Sequence, residues 1–230
     1  ASGAGDALAC CSDGRGQRAP LDTIIIHCFM ERYTELDTVL KRVWQRLARA
    51  ADDSGHPFRT LTFGTTQNNQ PHLRTVVLRE AAPDERRLAF HTNRHSQKVA
   101  DLKEGSRIAW RGWDPEAGEQ VRLRGTAAVH TDDDVADAMW EAQSPGSLAV
   151  YPHVKPPGSS LDAPGDGLKA SVKGEPIRRE DVAEGRPYFA VVRTVVDEID
   201  WLHLHPEGHY RAQFQFRPDQ DQFEGTWVVP

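Results

Sequence analysis

Apolar and polar positions along this chain change period twice, dividing it into a helix, a long β-region and a loop-rich segment followed by more β. From about Thr34 to Ala51, Leu36, Val39, Leu40, Val43, Trp44, Leu47 and Ala48 recur at three and four, with Lys41, Arg42, Gln45 and Arg46 between them. That spacing predicts an amphipathic helix, started by Thr34 or Asp37 and ended by Asp52-Asp53-Ser54-Gly55. Upstream, Leu21 to Phe29 is a short apolar run that periodicity assigns to neither strand nor helix.

Alternation then takes over. Phe58 to Phe63 reads as a strand, Gln67-Asn68-Asn69-Gln70 as a turn, and the stretch through Arg74 as the second arm of a hairpin. Ala81 to Arg86 turns the chain back into Leu88–Asn93. Ser96 is the expected cap of a short helix from Gln97 to about Lys103, stopped by Gly105. Further strands are expected at Arg107–Trp113 and Glu119–His130. In the latter, Val121, Leu123, Gly125 and Ala127 alternate with Arg122, Arg124 and Thr126. Thr131 is the expected cap of a helix from Asp132 to about Gln143, with Asp132-Asp133-Asp134 supplying favourable charge at its start. Residues 152–187 form a Pro/Gly-rich loop, and Tyr188–Ile199, His209–Phe216 and Thr226–Val229 close the chain as strands. The count predicts a mainly β fold with flanking helices (α+β), and a closed or nearly closed antiparallel barrel, because closure removes sheet edges.

Composition narrows the function classes. The 230 residues carry a net charge of −6, which argues against nucleic acid as the main partner. Cys10, Cys11 and Cys28 form neither a disulfide framework nor a Cys-x-x-Cys zinc pair, which fits a reducing, cytoplasmic setting. No apolar run approaches the roughly 20 residues of a membrane helix. Ala1 to Ala19 has no signal-peptide h-region, and residues 1–33 read as a flexible leader before a domain at 34–230.

The candidate chemistry lies between Arg74 and Lys98. Arg74-Thr75-Val76-Val77-Leu78-Arg79 sets a guanidinium at each end of an apolar strand. His91-Thr92-Asn93-Arg94-His95-Ser96-Gln97-Lys98 follows with hydroxyls, cations and a helix start. A hairpin would gather these into one patch suited to a phosphate monoester. The plainer alternative, a surface strand with solvated arginines, carries about equal weight on composition. His203, His205 and His209 could place imidazoles together, but without an identifiable acidic support no metal site is assigned. Trp110, Trp113 and Trp140 read first as core or interface residues.

Three motifs in order, Arg-Thr-Val-Val-Leu-Arg, His-Thr-Asn-Arg-His-Ser-Gln-Lys and Glu-Gln-Val-Arg-Leu-Arg-Gly, resemble the pyridoxamine 5′-phosphate oxidase-like family of FMN-binding split barrels. The likeness covers roughly Thr34 to Pro230. It implies a Greek-key antiparallel split β-barrel holding FMN at the interface of a homodimer, without nucleic acid or membrane partners. By this resemblance Arg74 and Lys98 would hold the FMN phosphate, helped by Ser96 and Gln97. Thr75, Val76, Val77 and Arg79 would run along the isoalloxazine, with His91 and Thr92 beside it. Gln120 would reach the cofactor from the long strand, Ser159 and Ser160 from the partner subunit, and Arg211 from the C-terminal His-x-Arg. His209 and His91 are the catalytic candidates by place.

Departures from the family pattern point away from vitamin B6. Glu207 stands where an Arg-x-His-x-Arg run begins in the oxidases, and no arginine occurs in Met139-Trp140-Glu141-Ala142-Gln143-Ser144. Leu202 and Trp227-Val228-Val229-Pro230 also differ from the family. The expected function is an FMN-dependent oxidoreductase acting on an unidentified small molecule. A non-catalytic flavin- or haem-binding module is the alternative.

Overall fold

The computed structural model describes residues 32–102, 106–174 and 176–230. The apolar run at Leu21–Phe29 and nearly all of the expected leader lie outside the described residues. The buried Tyr33 ring meets Trp201 edge-on at 6.2 Å. Among the described residues no helix is long and apolar enough to cross a membrane.

The predicted first helix is α1 (Leu36–Asp52), one residue from its expected end. Its buried face, Val39, Val43, Trp44, Leu47 and Ala50, joins the same core as the barrel interior. Neither Thr34 nor Asp37 caps it, because Glu35 occupies the N-cap position without a side-chain hydrogen bond.

Eight antiparallel strands follow: β1 (Thr60–Gln67), β2 (Gln70–Ala82), β3 (Arg87–Asn93), β4 (Ser106–Asp114), β5 (Glu119–His130), β6 (Phe189–His203), β7 (Tyr210–Arg217) and β8 (Gln222–Val228). Their order in the sheet is β3-β2-β1-β4-β5-β6-β7-β8, and a further β3–β6 pairing closes the first six into a barrel. Closure depends on the length of β6. Its first half pairs with β3, from Phe189 opposite Asn93 to Val195 opposite Arg87. Its second half, Glu198–His203, stays paired with β5 and takes β7 on its other edge in place of β3. The β1–β2 turn places Asn68 and Asn69 at φ 49° and 62°, the left-handed conformation that asparagine tolerates in two-residue hairpins.

Gly125 sits at a register shift between β5 and β6. A Cβ there would lie 2.1 Å from the Val195 carbonyl oxygen, so only glycine lets the two strands approach this closely.

Short helices flank the barrel, among them α2 (Gln97–Asp101), α3 (Asp134–Glu141) and α4 (Pro145–Leu148). The residue that caps α3 is Asp133, whose carboxylate accepts from Ala136 N at 3.0 Å, and not the expected Thr131. α2 ends at Asp101, before the predicted Lys103.

The 152–187 segment is more structured than its composition suggests. It includes α5 (Arg179–Val182) and a bridge between His153 and Leu168. Val172 and Val182 enter a second apolar cluster with Ala89, Trp140, Leu148, Tyr151, Phe189 and Val191 on the outer side of β3 and β6. These strands are therefore apolar on both faces, which explains the near-continuous apolar run at Phe189–Val192.

Candidate functional site

Strand alternation sorts the predicted residues onto two faces. Val76, Leu78, Leu88 and Phe90 point into the barrel core, and Arg74 and Thr92 lie on the same faces one step further along β2 and β3. Arg74 Nη1 donates to Thr65 Oγ1 at 2.6 Å and to the His72 carbonyl at 3.1 Å, and Nη2 meets Asp101 Oδ2 at 3.0 Å. Lys98 Nζ donates to Thr92 Oγ1 at 3.0 Å, and the Thr92 and Ser96 hydroxyls lie 3.3 Å apart. The structure thus gathers Arg74, Thr92, Ser96 and Lys98 beside one another. Burial lowers the Lys98 pKa, as does the neighbouring Arg74, while Asp101 opposes the shift. The ammonium is therefore a cation in need of negative charge.

Asp101 is the member of this cluster that sequence reasoning missed. Its side chain has no exposed surface. Thr65 Oγ1 donates to it at 2.6 Å, Gln97 Nε2 at 2.9 Å, and His72 Nδ1 lies 2.9 Å away. Burial alone would raise its pKa, but these hydrogen bonds and that of Arg74 together hold it well below the usual carboxylate range.

The structure adds detail to these residues and corrects one expectation, the Ser96 cap. Val76 is only 6% exposed and faces the core, so it can offer a ligand backbone groups only. Ser96 takes the N-cap position of α2 but its hydroxyl makes no capping bond, turning to Thr92 instead. The Gln97 amide is turned to Asp101 and Gln67. With five residues, α2 has little macrodipole, so the field comes from the side-chain cations. Thr75 and Val77 are exposed on the outer face of β2.

Arg79 sits at the register shift between Leu78 and Glu80 in the β2–β3 pairing, a bulge that re-aims its side chain. Burial lowers its pKa, the nearby Arg59 adds to this, and the Tyr151 phenol opposes it. His91 faces the outer cluster, with its ring 4.9 Å from Phe189. Burial, then the charges of Arg79 and Arg59, push the His91 pKa down to about 4, so the imidazole is neutral at neutral pH. Its Nε2 is buried without a hydrogen-bond partner.

The remaining candidates stand apart from this group within one chain. Gln120 accepts from Arg111 Nε at 2.9 Å. Arg211 pairs with Asp200 through Nη2 at 2.8 Å, and Asp200 also accepts from Arg122 and Gln213. Burial would raise the Asp200 pKa, but these three donors lower it to about 2. Ser159 and Ser160 are exposed, and the Ser159 hydroxyl donates to the Pro156 carbonyl at 2.8 Å. His209 is exposed, whereas His203 and His205 are buried with rings 5.4 Å apart.

A closed antiparallel barrel with two further strands paired beside it carries a cation–hydroxyl cluster between β2, β3 and α2. Comparison with known proteins shows what part of the chain is similar to. Residues 41–131 match the model for the pyridoxamine 5′-phosphate oxidase FMN-binding domain. Over these residues, less than half of the chain, the sequence is similar to that FMN-binding domain. Two curated pyridoxine/pyridoxamine 5′-phosphate oxidases are similar to it. That of Alkalilimnicola ehrlichii is 40% identical over 99 residues, covering 43% of this chain and 48% of the relative. That of Anaeromyxobacter dehalogenans is 35% identical over 105 residues, covering 45% and 52%. The chain spans about half the length of these curated relatives. Among solved structures, a pyridoxamine 5′-phosphate oxidase-related, FMN-binding protein from Nostoc punctiforme superposes with a TM-score of 0.65 at 22% identity, over 87% of this chain and 100% of that one. PhzG from Burkholderia lata, solved with tetrahydrophenazine-1-carboxylic acid, gives 0.60 at 20%, over 87% and 95%. At these identities the likeness concerns the fold.

Proposed function

We propose that this protein is an FMN-dependent oxidoreductase acting on a small molecule other than pyridoxine 5′-phosphate. The observation that carries the reading is the convergence of Arg74, Lys98, Thr92 and Ser96 on one spot, with Arg74 oriented by a fully buried Asp101. Two cations and two hydroxyls against one carboxylate leave a net positive site with donors to spare, which suits a phosphate. Arg74 and Lys98 would bind it, and the hydroxyls of Thr92 and Ser96 would complete its hydrogen bonds. The outer face of β2, with Thr75, Val77 and the main chain of Val76, would lie along the flavin ring. Bound FMN would supply the centre that accepts hydride or electrons.

His91 is the residue in this chain best placed to handle a proton, because its buried Nε2 is unpartnered and its imidazole neutral. Gln120, Arg211, Ser159 and Ser160 make no contact with the Arg74–Lys98 cluster among the described residues. A homodimer would supply them from a second copy, and we include that assembly in the proposal. A non-catalytic flavin- or haem-binding module is the second reading, favoured by Glu207 and by the lack of a cation in residues 139–144.

The visible spectrum of the purified protein with added FMN tests the first reading, followed by NADH, NADPH and pyridoxine 5′-phosphate in air. Bleaching by a nicotinamide or by another small donor supports an oxidoreductase. A yellow protein inert to every donor supports the module, and a protein that takes up no FMN refutes both flavin readings.

A further inference from the structure

Strand alternation turns Arg107, Ala109 and Arg111 of β4 outward, while Ile108 and Trp110 enter the core. Arg111 stands opposite Thr62 of β1 and Arg122 of β5, on the same outer face as Gln120. Its Nε donates to Gln120 Oε1 at 2.9 Å, and this is its one hydrogen bond to a described residue. No ion pair joins Arg111 to any described residue. The acids of β6 are engaged elsewhere, Asp197 and Glu198 by Arg107 and Arg124, and Asp200 by Arg122 and Arg211.

That single bond settles which way the Gln120 amide faces. A guanidinium only donates, so it holds the amide oxygen and turns the NH2 group away, with both hydrogens available to a ligand. Without Arg111 the amide could rotate by half a turn and present its oxygen instead. Arg111 also sets an uncompensated positive charge one hydrogen bond behind that donor. The copy of the chain that brings Gln120 to the flavin in the proposed function brings Arg111 with it.

We propose that Arg111 is a positioning residue that acts through Gln120 to favour the reduced state of the flavin. FMN that takes up two electrons and one proton carries one more negative charge on its ring system. A donor held in place, with a free cation behind it, stabilises that form more than the neutral oxidised ring. The phosphate carries the same charge in both states, so Arg74 and Lys98 do not discriminate between them. The inference rests on the FMN reading above and adds to it the residue that tunes the cofactor.

Spectroelectrochemical titration of the FMN-loaded protein, alongside FMN affinity measured in the oxidised state, tests this. Arg111→Met should weaken reduced FMN at least tenfold more than oxidised FMN, a fall of about 30 mV in the two-electron potential for each factor of ten. Arg111→Lys, which keeps the charge and a donor, should recover part of that fall. Gln120→Leu should lower the potential as well, and adding Arg111→Met to it should lower it little further, because the pair acts as one unit. An unchanged potential in Arg111→Met, even with weaker FMN binding, would overturn the inference. So would no recovery in Arg111→Lys, or a full Arg111→Met effect on top of Gln120→Leu. A protein that takes up no FMN would refute the FMN reading itself, whereas uptake with an unchanged potential refutes the role of Arg111 alone.

Discussion

Arg74 and Asp101 meet at 3.0 Å between Nη2 and Oδ2, joining a strand of the barrel to the last residue of α2 across 27 positions of sequence. The carboxylate is fully buried and also serves Thr65, His72 and Gln97, so it fixes the orientation of the cation proposed to hold the phosphate. Removing one partner of such a pair leaves the other desolvated and uncompensated. Asp101→Ala is expected to cost about 3 kcal/mol of folding stability, measured by urea denaturation. A cost below about 1 kcal/mol would mean that Arg74 relaxes into water without it.

The same carboxylate sets an acid limit. Its folded pKa lies below the unfolded value, so the stabilisation it gives is complete above the unfolded carboxylate range, near about pH 4. It is lost as pH falls further toward the folded pKa. Melting temperature followed from pH 7 down to 3 should fall less steeply on the acid side for Asp101→Asn than for the unaltered protein.

His91 should titrate far from an ordinary histidine. Its folded pKa of about 4 lies below the unfolded value of about 6.5. Between those values the unfolded chain binds the extra proton, so this residue makes stability rise with pH across that window. The His91 ring resonances in NMR should move with a midpoint near the lower value. A midpoint near 6.5 would place the ring in solvent and remove it from the proposed site.

Gly125 offers a check on barrel closure. A methyl group placed 2.1 Å from the Val195 carbonyl must separate β5 from β6. Gly125→Ala should therefore destabilise the protein by about 3 kcal/mol or prevent folding. Unchanged stability would show that the strands do not approach so closely.

Much of the barrel was legible because β-alternation is a local signal. The strand Glu119–His130 has the predicted ends, and the helix preceding the barrel has the predicted face. The end of β6 was not legible. Asp197, Glu198 and Asp200 resemble a polar stop at Ile199, yet the strand runs to His203. Arg107, Arg124 and Arg122 on the neighbouring strands pair with those acids, and the pairing is invisible until the sheet exists. The site divides the same way. Arg74, Thr92, Ser96 and Lys98 carry their chemistry in their side chains and could be named. Asp101 belongs to none of the motifs, and only the fold buries it against the β1–β2 hairpin. The bulge at Arg79 arises from strand register, which the residue pattern does not specify.

The account stands most directly on FMN binding through Arg74. Titration of the protein with FMN, followed by quenching of flavin fluorescence, should show saturable uptake of one FMN per chain. Arg74→Ala should weaken it at least tenfold, since a charge-assisted contact to phosphate contributes about 1.5–3 kcal/mol. No uptake by the unaltered protein, or the same affinity in Arg74→Ala, would contradict it.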